Sequence, residues 1–316
     1  MRNRELLALR KRLNNLTRSQ RRQVASDLEA AEHKAASVEV IEDQLPARPG
    51  CPHCGSVQVV RNGTADGLQR FKCRGCRKTF NALTGTPLAR LHMRSKWMEQ
   101  AEVLRDGLTI HQAARRLGVN PKTAFLWRHR FLAVPKTVQA YLLSGIAEVD
   151  ESYFLKSAKG QRNGLGRAPR KRGGQATKRG ISSEQVPVLI ARDRAGATAN
   201  FVLNATTAKN IGAALRPILP NDTVLVTDGS TTLAAAARRL GVEHHAVNIS
   251  GGVRVNGAWH VQNVNAFVSR LRGWLRRFKG VATRYLENYL GWFRVLDRSL
   301  GFNPEPASLL ALAIRP

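Results

Sequence analysis

The order of strands and helices after residue 146 constrains the fold of this chain more than any other sequence feature. Three short apolar runs, which predict β-strands, come first, and an alternation of helical and apolar segments follows. Strands are predicted at 146–150, 186–192, 199–203, 223–228 and 243–249, and helices at 208–219, 231–240 and from about Val261 onwards. The segments between the first strands contain mainly Gly, Arg and Lys, which argues against a flavodoxin-like α/β fold because that fold needs a helix there.

Two aspartates stand where predicted strands end. Asp150 closes residues 146–150, and Asp228 closes residues 223–228. A carboxylate there is costly to desolvate unless a positive group faces it, and in a chain of formal charge +29 that group is a lysine, an arginine or a divalent metal ion. Two such carboxylates can hold hard cations beside a phosphodiester, whereas the simpler interpretation is that each caps a turn or helix. The element order is that of a ribonuclease-H-like core, which favours the metal site.

The charge distribution predicts a polyanionic partner. The chain holds 51 Lys and Arg against 22 Asp and Glu, and the stretches 67–98, 156–180 and 254–284 contain eight, nine and seven basic residues without one acidic residue. Solvated surfaces usually mix signs, so these blocks favour a phosphate backbone as partner, and double-stranded DNA is the partner we expect. A membrane surface is the competing partner, but no apolar run approaches the ~20 residues that span a bilayer. With no signal-peptide pattern, we expect a cytoplasmic bacterial protein that associates with the nucleoid when bound to DNA.

Four cysteines predict a zinc site. They form two Cys-x2-Cys pairs separated by eighteen residues, all within a stretch of 26 residues. This spacing suits a structural zinc ribbon over residues 46–85, and four thiolates leave no open position for catalysis. The predicted Zn²⁺ ligands are Cys51, Cys54, Cys73 and Cys76. His53, inside the first pair, is interpreted as an exposed residue that does not bind the metal.

A helix-turn-helix is predicted within residues 86–140. Gly118 at the turn, Asn120 as N-cap and Pro121 at the first helical position indicate a second helix over residues 121–131. An ordinary helical hairpin would show similar signals, but the neighbouring basic charge favours DNA. The side chains predicted to reach a groove are Lys122, Thr123, Arg128 and His129.

The helix beginning near Val261 offers a third candidate position beside the two aspartates. Its apolar residues recur at helical spacing, and the opposite face carries Asn265 and Arg272, seven residues and thus two turns apart. An amide followed by a cation suits a site that holds a metal and then a DNA phosphate. On its own, such a stripe is more typical of a solvated polar face.

Several separated motifs resemble the ISXO-like insertion-sequence transposases, a zinc-ribbon branch of the DDE superfamily, over about residues 50 to 300. They are Val-Asp-Glu-Ser-Tyr-Phe (149–154), Pro-Arg-Lys-Arg-Gly-Gly (169–174), Val-Thr-Asp-Gly (226–229), His-Val-Gln-Asn-Val-Asn (260–265), the run 278–286 and Asn-Tyr-Leu-Gly-Trp (288–292). The resemblance implies a ribonuclease-H-like catalytic core whose third acid is Glu in some members and Asn in others.

Carried onto this sequence, the resemblance implies four catalytic residues. Asp150 and Asp228 match the two aspartates, Asn265 the third position and Arg272 the basic residue that follows, often Lys in the family. They would use Mg²⁺ or Mn²⁺ held chiefly by the aspartates, because an amide oxygen is a neutral ligand. The basic residues expected to contact DNA phosphates are Arg170, Lys171 and Arg172.

The sequence therefore predicts a multidomain α+β transposase that acts on the ends of its element and on target DNA, as a homo-oligomer. Its predicted parts are a basic helical arm (1–45), a zinc ribbon (46–85), a helix-turn-helix region (86–140), a ribonuclease-H-like catalytic domain (141–305) and a tail (306–316). Two alternatives stay open. One is a non-catalytic zinc-ribbon and helix-turn-helix protein or decayed transposase, and the other is a structure-selective nuclease such as a junction resolvase.

Overall fold

The computed structural model describes residues 2–46, 49–161, 174, 176–248, 251–298 and 304–315, and the chain divides into two compact units. The first combines Met1–Phe131 with Glu305–Pro316, and the second is Leu132–Pro304. In the described parts of the chain, no helix has both the length and the apolar character needed to cross a membrane.

The helices and strands follow one another as α1 (Asn3–Leu13), α2 (Arg18–Glu42), β1 (Val59–Ala65), β2 (Leu68–Cys73), β3 (Thr79–Phe80), α3 (Trp97–Arg105), α4 (Ile110–Leu117), α5 (Pro121–Phe131), β4 (Ile146–Leu155), β5 (Gln185–Asp193), β6 (Thr198–Val202), α6 (Ala208–Leu215), β7 (Val224–Asp228), α7 (Thr231–Leu240), β8 (His244–Val247), α8 (Gln262–Leu275), α9 (Leu286–Arg298) and α10 (Pro306–Ala313). The predicted order of strands and helices is therefore confirmed, and the protein is a mixed α+β structure.

The first unit combines a three-stranded antiparallel sheet, in the order β1-β2-β3, with packed helices. The core of α3, α4 and α5 contains Val103, Leu117 and Trp127. Helix α10 packs against α2, α3 and α5, so the end of the chain completes this unit. None of the residues of α1 is buried.

The predicted helix-turn-helix has the expected local signals. Thr109 caps α4 by accepting from the Gln112 N–H, and Gly118 ends that helix at a φ of 61°, a left-handed conformation that glycine adopts without strain. The Asn120 side chain accepts from the Lys122 N–H at 2.8 Å, where α5 begins. These caps satisfy backbone groups that the two helix ends leave without an intrahelical partner.

The second unit contains a five-stranded sheet in the order β6-β5-β4-β7-β8. Strand β5 is antiparallel to β4 and β6, whereas β4, β7 and β8 are parallel. One face packs against α6 and α7 through an apolar core that includes Val149, Leu189 and Leu233. Helix α8 packs against β4 and β5, and α9 packs against α8 and β6.

Strand β4 extends further than predicted, because β5 continues to pair with it from Glu151 to Leu155. Asp150 therefore does not end its own strand. The parallel strand β7 pairs with β4 only as far as Val149 and ends at Asp228, so Asp150 is the first β4 residue beyond its β7 partner. Both aspartates thus lie at the same edge of the β4–β7 pair, although only one of them terminates a strand.

Gly291 of α9 lies against the backbone of residues 135–136, and we expect Gly291→Ala to destabilise the second unit. A Cβ at this position would approach the Pro135 carbonyl oxygen to 2.4 Å and the Lys136 Cα to 2.5 Å, and backbone atoms cannot rotate away. Overpacking of this kind costs about 1–3 kcal/mol in the free energy of unfolding.

The control is Gly273→Ala on α8, where a Cβ meets nothing within 4 Å. It should stabilise the protein by about 0.5–1 kcal/mol, because alanine favours the helix. Urea unfolding of both variants measures the difference. Equal stability of the two would contradict the close approach of α9 to residues 135–136.

Candidate functional site

Three carboxylates meet at the edge of the β4–β7 pair. One oxygen from each of Asp150, Glu151 and Asp228 lies within 4.8 Å of the others. Asp150 Oδ1 accepts from the Glu151 N–H at 2.8 Å, and Asp228 Oδ1 accepts from the Ser230 N–H at 3.2 Å, directly before α7. The sheet therefore brings together the two aspartates predicted from the sequence and adds Glu151 to them.

The proximity of these acids changes their titration. Burial, and then the negative charge of Asp228, raises the pKa of Asp150 to about 6. Burial, followed by the charges of Asp150 and Asp228, raises the pKa of Glu151 to about 7. Half-buried like charges are unfavourable together, and a divalent cation with oxygen ligands relieves that repulsion. The carboxylate group therefore fits a divalent metal ion.

Arg272 lies at the same site. Its Nη2 donates to Ser152 Oγ at 2.9 Å, and its guanidinium carbon lies 6.0 Å from the centre of the Phe154 ring. Its positive charge also lowers the pKa of Asp150, against the larger effect of burial. Asn265 lies seven residues earlier on α8, where it is exposed and its backbone N–H bonds to the Val261 carbonyl at 3.1 Å. Its role as a metal ligand stays a prediction.

Sequence reasoning missed two glutamates of this region. Glu151 was not among the predicted site residues, and alternation along a strand would by itself direct its side chain away from that of Asp150. The signal that could have found it is its position beyond the end of β7, where a longer side chain can reach around the strand edge. Glu148 is buried on β4 and contacts α8. A charged residue in an otherwise apolar strand was the signal for it.

The four cysteines form a second candidate metal site, in the first unit, and their sulfur atoms all lie within 4.8 Å of one another. The Cys51 and Cys76 sulfurs are 3.6 Å apart, and those of Cys54 and Cys73 are 3.7 Å apart. Two thiolates each ~2.3 Å from a tetrahedral zinc ion would lie ~3.8 Å apart. The cluster therefore has the dimensions of a four-thiolate zinc site.

Local structure supports the same interpretation of the cysteine cluster. The Cys76 backbone N–H donates to Cys73 Sγ and lowers the pKa of that thiol to about 6, which favours the thiolate that binds metals. Phe71 and Phe80 stack beside the cluster with ring centres 5.4 Å apart. His53 is exposed and is not part of the sulfur group.

The predicted DNA-reading residues differ in their exposure. Lys122 is exposed at the start of α5, and Thr123 and His129 are half-buried. Arg128, in contrast, is 1% exposed and donates to the Leu108 carbonyl, so its assignment to the DNA groove is wrong. The physical reason is helical periodicity, because position 128 follows Ala124 by one turn on the buried face of α5.

The same helix exposes a residue that the sequence analysis did not select. Leu126 is 52% exposed, four residues after Lys122 and therefore on the same face of α5.

The predicted phosphate contacts Arg170, Lys171 and Arg172 lie outside the residues that the structure describes.

The chain thus combines a helix-turn-helix, a four-cysteine cluster and a carboxylate site on a mixed sheet. Residues 142–294 match the ISXO2-like transposase domain family, and residues 95–133 match a homeodomain-like domain. Residues 142–294 of the second unit are therefore similar to ISXO2-like transposase domains, in agreement with the predicted resemblance to ISXO-like transposases.

Known proteins that are similar to this chain include one curated sequence and the following two chains of solved structures. An uncharacterized protein in transposable element ISH50 of Halobacterium salinarum is 27% identical over 249 residues, covering 78% of this chain and 84% of that protein. A chain of a simian T-cell lymphotropic virus intasome in complex with the PP2A regulatory subunit B56 gamma is 12% identical, with a TM-score of 0.27, covering 61% of this chain and 66% of that chain. A chain of a pre-cleavage Mos1 transpososome is 12% identical, with a TM-score of 0.22, covering 69% and 79%. TM-scores this low do not establish a shared fold.

Proposed function

We propose that this protein is an insertion-sequence transposase that binds the terminal inverted repeats of its element and catalyses metal-dependent DNA cleavage and strand transfer. The observation that carries the proposal is the meeting of Asp150, Glu151 and Asp228 within 4.8 Å inside an ISXO2-like transposase domain. Carboxylates so placed bind hard divalent cations, which are the cations that activate phosphodiester chemistry.

A ribonuclease-H-like core is the fold we propose for the second unit. Three consecutive strands pair antiparallel, and two further strands, each preceded by a helix, add in parallel beside the first. This strand order agrees with the order predicted from the sequence, and it supports the proposed core because it sets Asp150 and Asp228 on adjacent strands. The predicted domain boundaries stay part of the proposal, except that residues 306–316, predicted as a tail, contain α10, which packs into the first unit.

In the proposed mechanism, Asp150 and Asp228 would hold the metal ions, with Asn265 as a neutral third ligand. Mg²⁺ or Mn²⁺ bound there would supply charge stabilisation and would activate the attacking oxygen of water or of the 3′-hydroxyl. Arg272, anchored on Ser152, is placed to hold a DNA phosphate beside the carboxylates. The residues thus orient an in-line displacement and compensate the charge that develops on the phosphate.

The first unit supplies the proposed recognition of DNA. Zn²⁺ bound by the four cysteines would hold the sheet β1-β2-β3 together, and α5 would enter the major groove. Cutting two element ends and joining them to one target requires two active sites, so we propose that the protein acts as a homo-oligomer on DNA. Its substrate places it in the cytoplasm with the chromosome.

The test is to incubate the protein with Mg²⁺ and DNA that carries the ends of its own element. A transposase gives cleavage at the ends and products joined to target DNA. Cleavage without joined products would favour a structure-selective nuclease. Binding to the ends without any cleavage would favour a non-catalytic DNA-binding protein.

Lys122→Ala tests the proposed recognition helix. We expect the variant to lose about 1–3 kcal/mol of preference for element ends over random DNA, because Lys122 is exposed at the start of α5. Competition binding at a fixed salt concentration measures this preference. Arg128→Ala should instead lower the melting temperature of the first unit, because Arg128 is buried.

The control for Lys122→Ala is Lys209→Ala, which removes the same charge from the exposed surface of α6. It should weaken binding to all DNA slightly and equally, through lost counterion release. If Lys122→Ala behaves in the same way as Lys209→Ala, α5 does not read the element ends.

A further inference from the structure

Glu148 is a buried carboxylate next to the candidate active site. It lies on β4 two residues before Asp150, so both side chains leave the same face of the strand. The Glu148 side chain is 0% exposed. A carboxylate removed from water is costly unless hydrogen bonds and positive charge compensate it, so its partners indicate what it stabilises.

The partners of Glu148 are concentrated where α8 begins. Its Oε2 accepts from the Val264 backbone N–H at 2.9 Å, and its Oε1 accepts from Asn263 Nδ2 at 2.8 Å. Arg194 Nε lies 3.3 Å and His260 Nδ1 lies 3.4 Å from Oε1. Arg194 also donates to the Ala258 carbonyl, which ties the segment before α8 to the same group.

Helix α8 lacks a capping side chain at its N-cap position, although the Gln262 N–H donates to His260 Nδ1 at 3.3 Å. Its N-cap residue is Val261, whose side chain makes no capping hydrogen bond. An apolar N-cap cannot accept from the N–H groups of the second and third helical residues, which a polar N-cap side chain would bind. Glu148 supplies the acceptor from the neighbouring strand, and its negative charge lies at the positive end of the helix dipole.

A second contact fixes the other end of the same helix segment. Arg272 donates to Ser152, four residues beyond Glu148 on the same face of β4. The four residues of β4 from Glu148 to Ser152 span about 13 Å, and the eight residues of α8 from Val264 to Arg272 span about 12 Å. The two contacts are therefore about equally far apart on the strand and on the helix. Asp150 lies midway between the two strand anchors.

We propose that Glu148 is a positioning residue that holds the first turn of α8 on β4 and thereby sets Asn265 relative to Asp150. The catalytic consequence rests on the proposed function, in which Asn265 is a ligand. The structural part does not, because it concerns only the Glu148 contacts with α8. Glu148 accepts a hydrogen bond from the Val264 N–H, and Asn265 is the next residue along the helix. Loss of the carboxylate therefore frees the turn that carries Asn265.

Hydrogen exchange of intact protein tests the structural part. Glu148→Ala should speed amide exchange roughly tenfold in peptides covering residues 262–268, with little change elsewhere in the second unit. The control is Asp193→Ala, which removes another buried carboxylate. Asp193 accepts from the Ser144 and Ala197 backbone N–H groups instead of from α8. Equal exchange in α8 for both variants, or faster exchange throughout the unit, would overturn the proposal.

A double-mutant cycle tests the catalytic part. Glu148→Ala should reduce Mg²⁺-dependent end cleavage at least roughly tenfold in the natural sequence, but less than about twofold in an Asn265→Ala background. Glu148→Gln, which keeps an acceptor for the Val264 N–H, should recover part of the loss. The same reduction in both backgrounds would show that Glu148 acts through general stability and not through Asn265.

The two measurements separate the possible failures. If the natural protein cleaves no DNA, the proposed function fails, and the exchange of α8 still decides whether Glu148 positions the helix. If the protein cleaves DNA but α8 exchanges normally in Glu148→Ala, only the positioning role is overturned.

Discussion

Replacing Asp228 with alanine is expected to abolish DNA cleavage and strand transfer while leaving binding to element ends within about twofold of the natural protein. Asp228 lies within 4.8 Å of the two other carboxylates and ends a strand beside Asp150. Its removal takes away a charged metal ligand, whereas DNA affinity comes from basic residues elsewhere. Loss of at least about a thousandfold in cleavage rate is expected, because the metal site provides most of the transition-state stabilisation.

Asp222→Ala is the matched control, because it removes the same side chain from the exposed turn that precedes β7. It should cleave at the natural rate. Asp150→Ala should resemble Asp228→Ala, whereas Asn265→Ala should be milder because it removes a neutral ligand. Calorimetry with Mn²⁺ gives a second measurement, in which Asp228→Ala should lose the metal and Asp222→Ala should keep it. Full cleavage by Asp228→Ala would contradict the proposed metal site and would favour the non-catalytic DNA-binding protein.

Removing zinc is expected to have the largest effect on the first unit. The purified protein should carry about one zinc ion per chain, and Cys73→Ser should lose it, because Cys73 is one of four sulfurs within 4.8 Å. Around the cysteines, the apolar cluster of the sheet β1-β2-β3 is small and includes Phe71 and Phe80. We therefore expect the sheet to unfold, and binding to element ends to fall by at least about tenfold.

Metal analysis and proteolysis within residues 51–80 measure the effect of zinc loss. The control is His53→Ala, which changes an exposed residue inside the first cysteine pair that is not part of the sulfur group. It should bind zinc normally and resist proteolysis as the natural protein does. Natural protein without zinc, or Cys73→Ser with an intact sheet, would contradict the proposed ribbon.

Local signals in the sequence were sufficient for much of this structure. The cysteine spacing, the Gly118 and Asn120 caps and the strand periodicity each depend on neighbouring residues, and the structure contains the elements they predict. The end of α6 was less accurate, since that helix stops at Leu215 instead of residue 219. Pro217 explains the difference, because it has no N–H to continue the helical hydrogen bonds.

Features that depend on distant parts of the chain were not predictable in the same way. The periodicity of α5 puts Arg128 on its buried face, but the Leu108 carbonyl that accepts from it there lies twenty residues away. Glu151 joins the aspartates because β7 pairs with β4 only as far as Val149 and does not cover the edge of β4 at Glu151. The register of the two strands decides this. Glu148 is satisfied by α8, more than a hundred residues later. In each case the deciding partner is set by tertiary structure, which spacing and propensity do not encode.

Helix α10 has a consequence for the order in which the chain folds during synthesis. It buries Leu309, Leu310 and Ala313 and packs against α3, but it is translated after the whole of Leu132–Pro304, a stretch of 173 residues. At roughly 5–20 residues per second, the ribosome needs about 9–35 s for that stretch. Through that interval the nascent first unit exposes the apolar surface that α10 later covers, and its last buried side chains arrive only after the second unit has been translated.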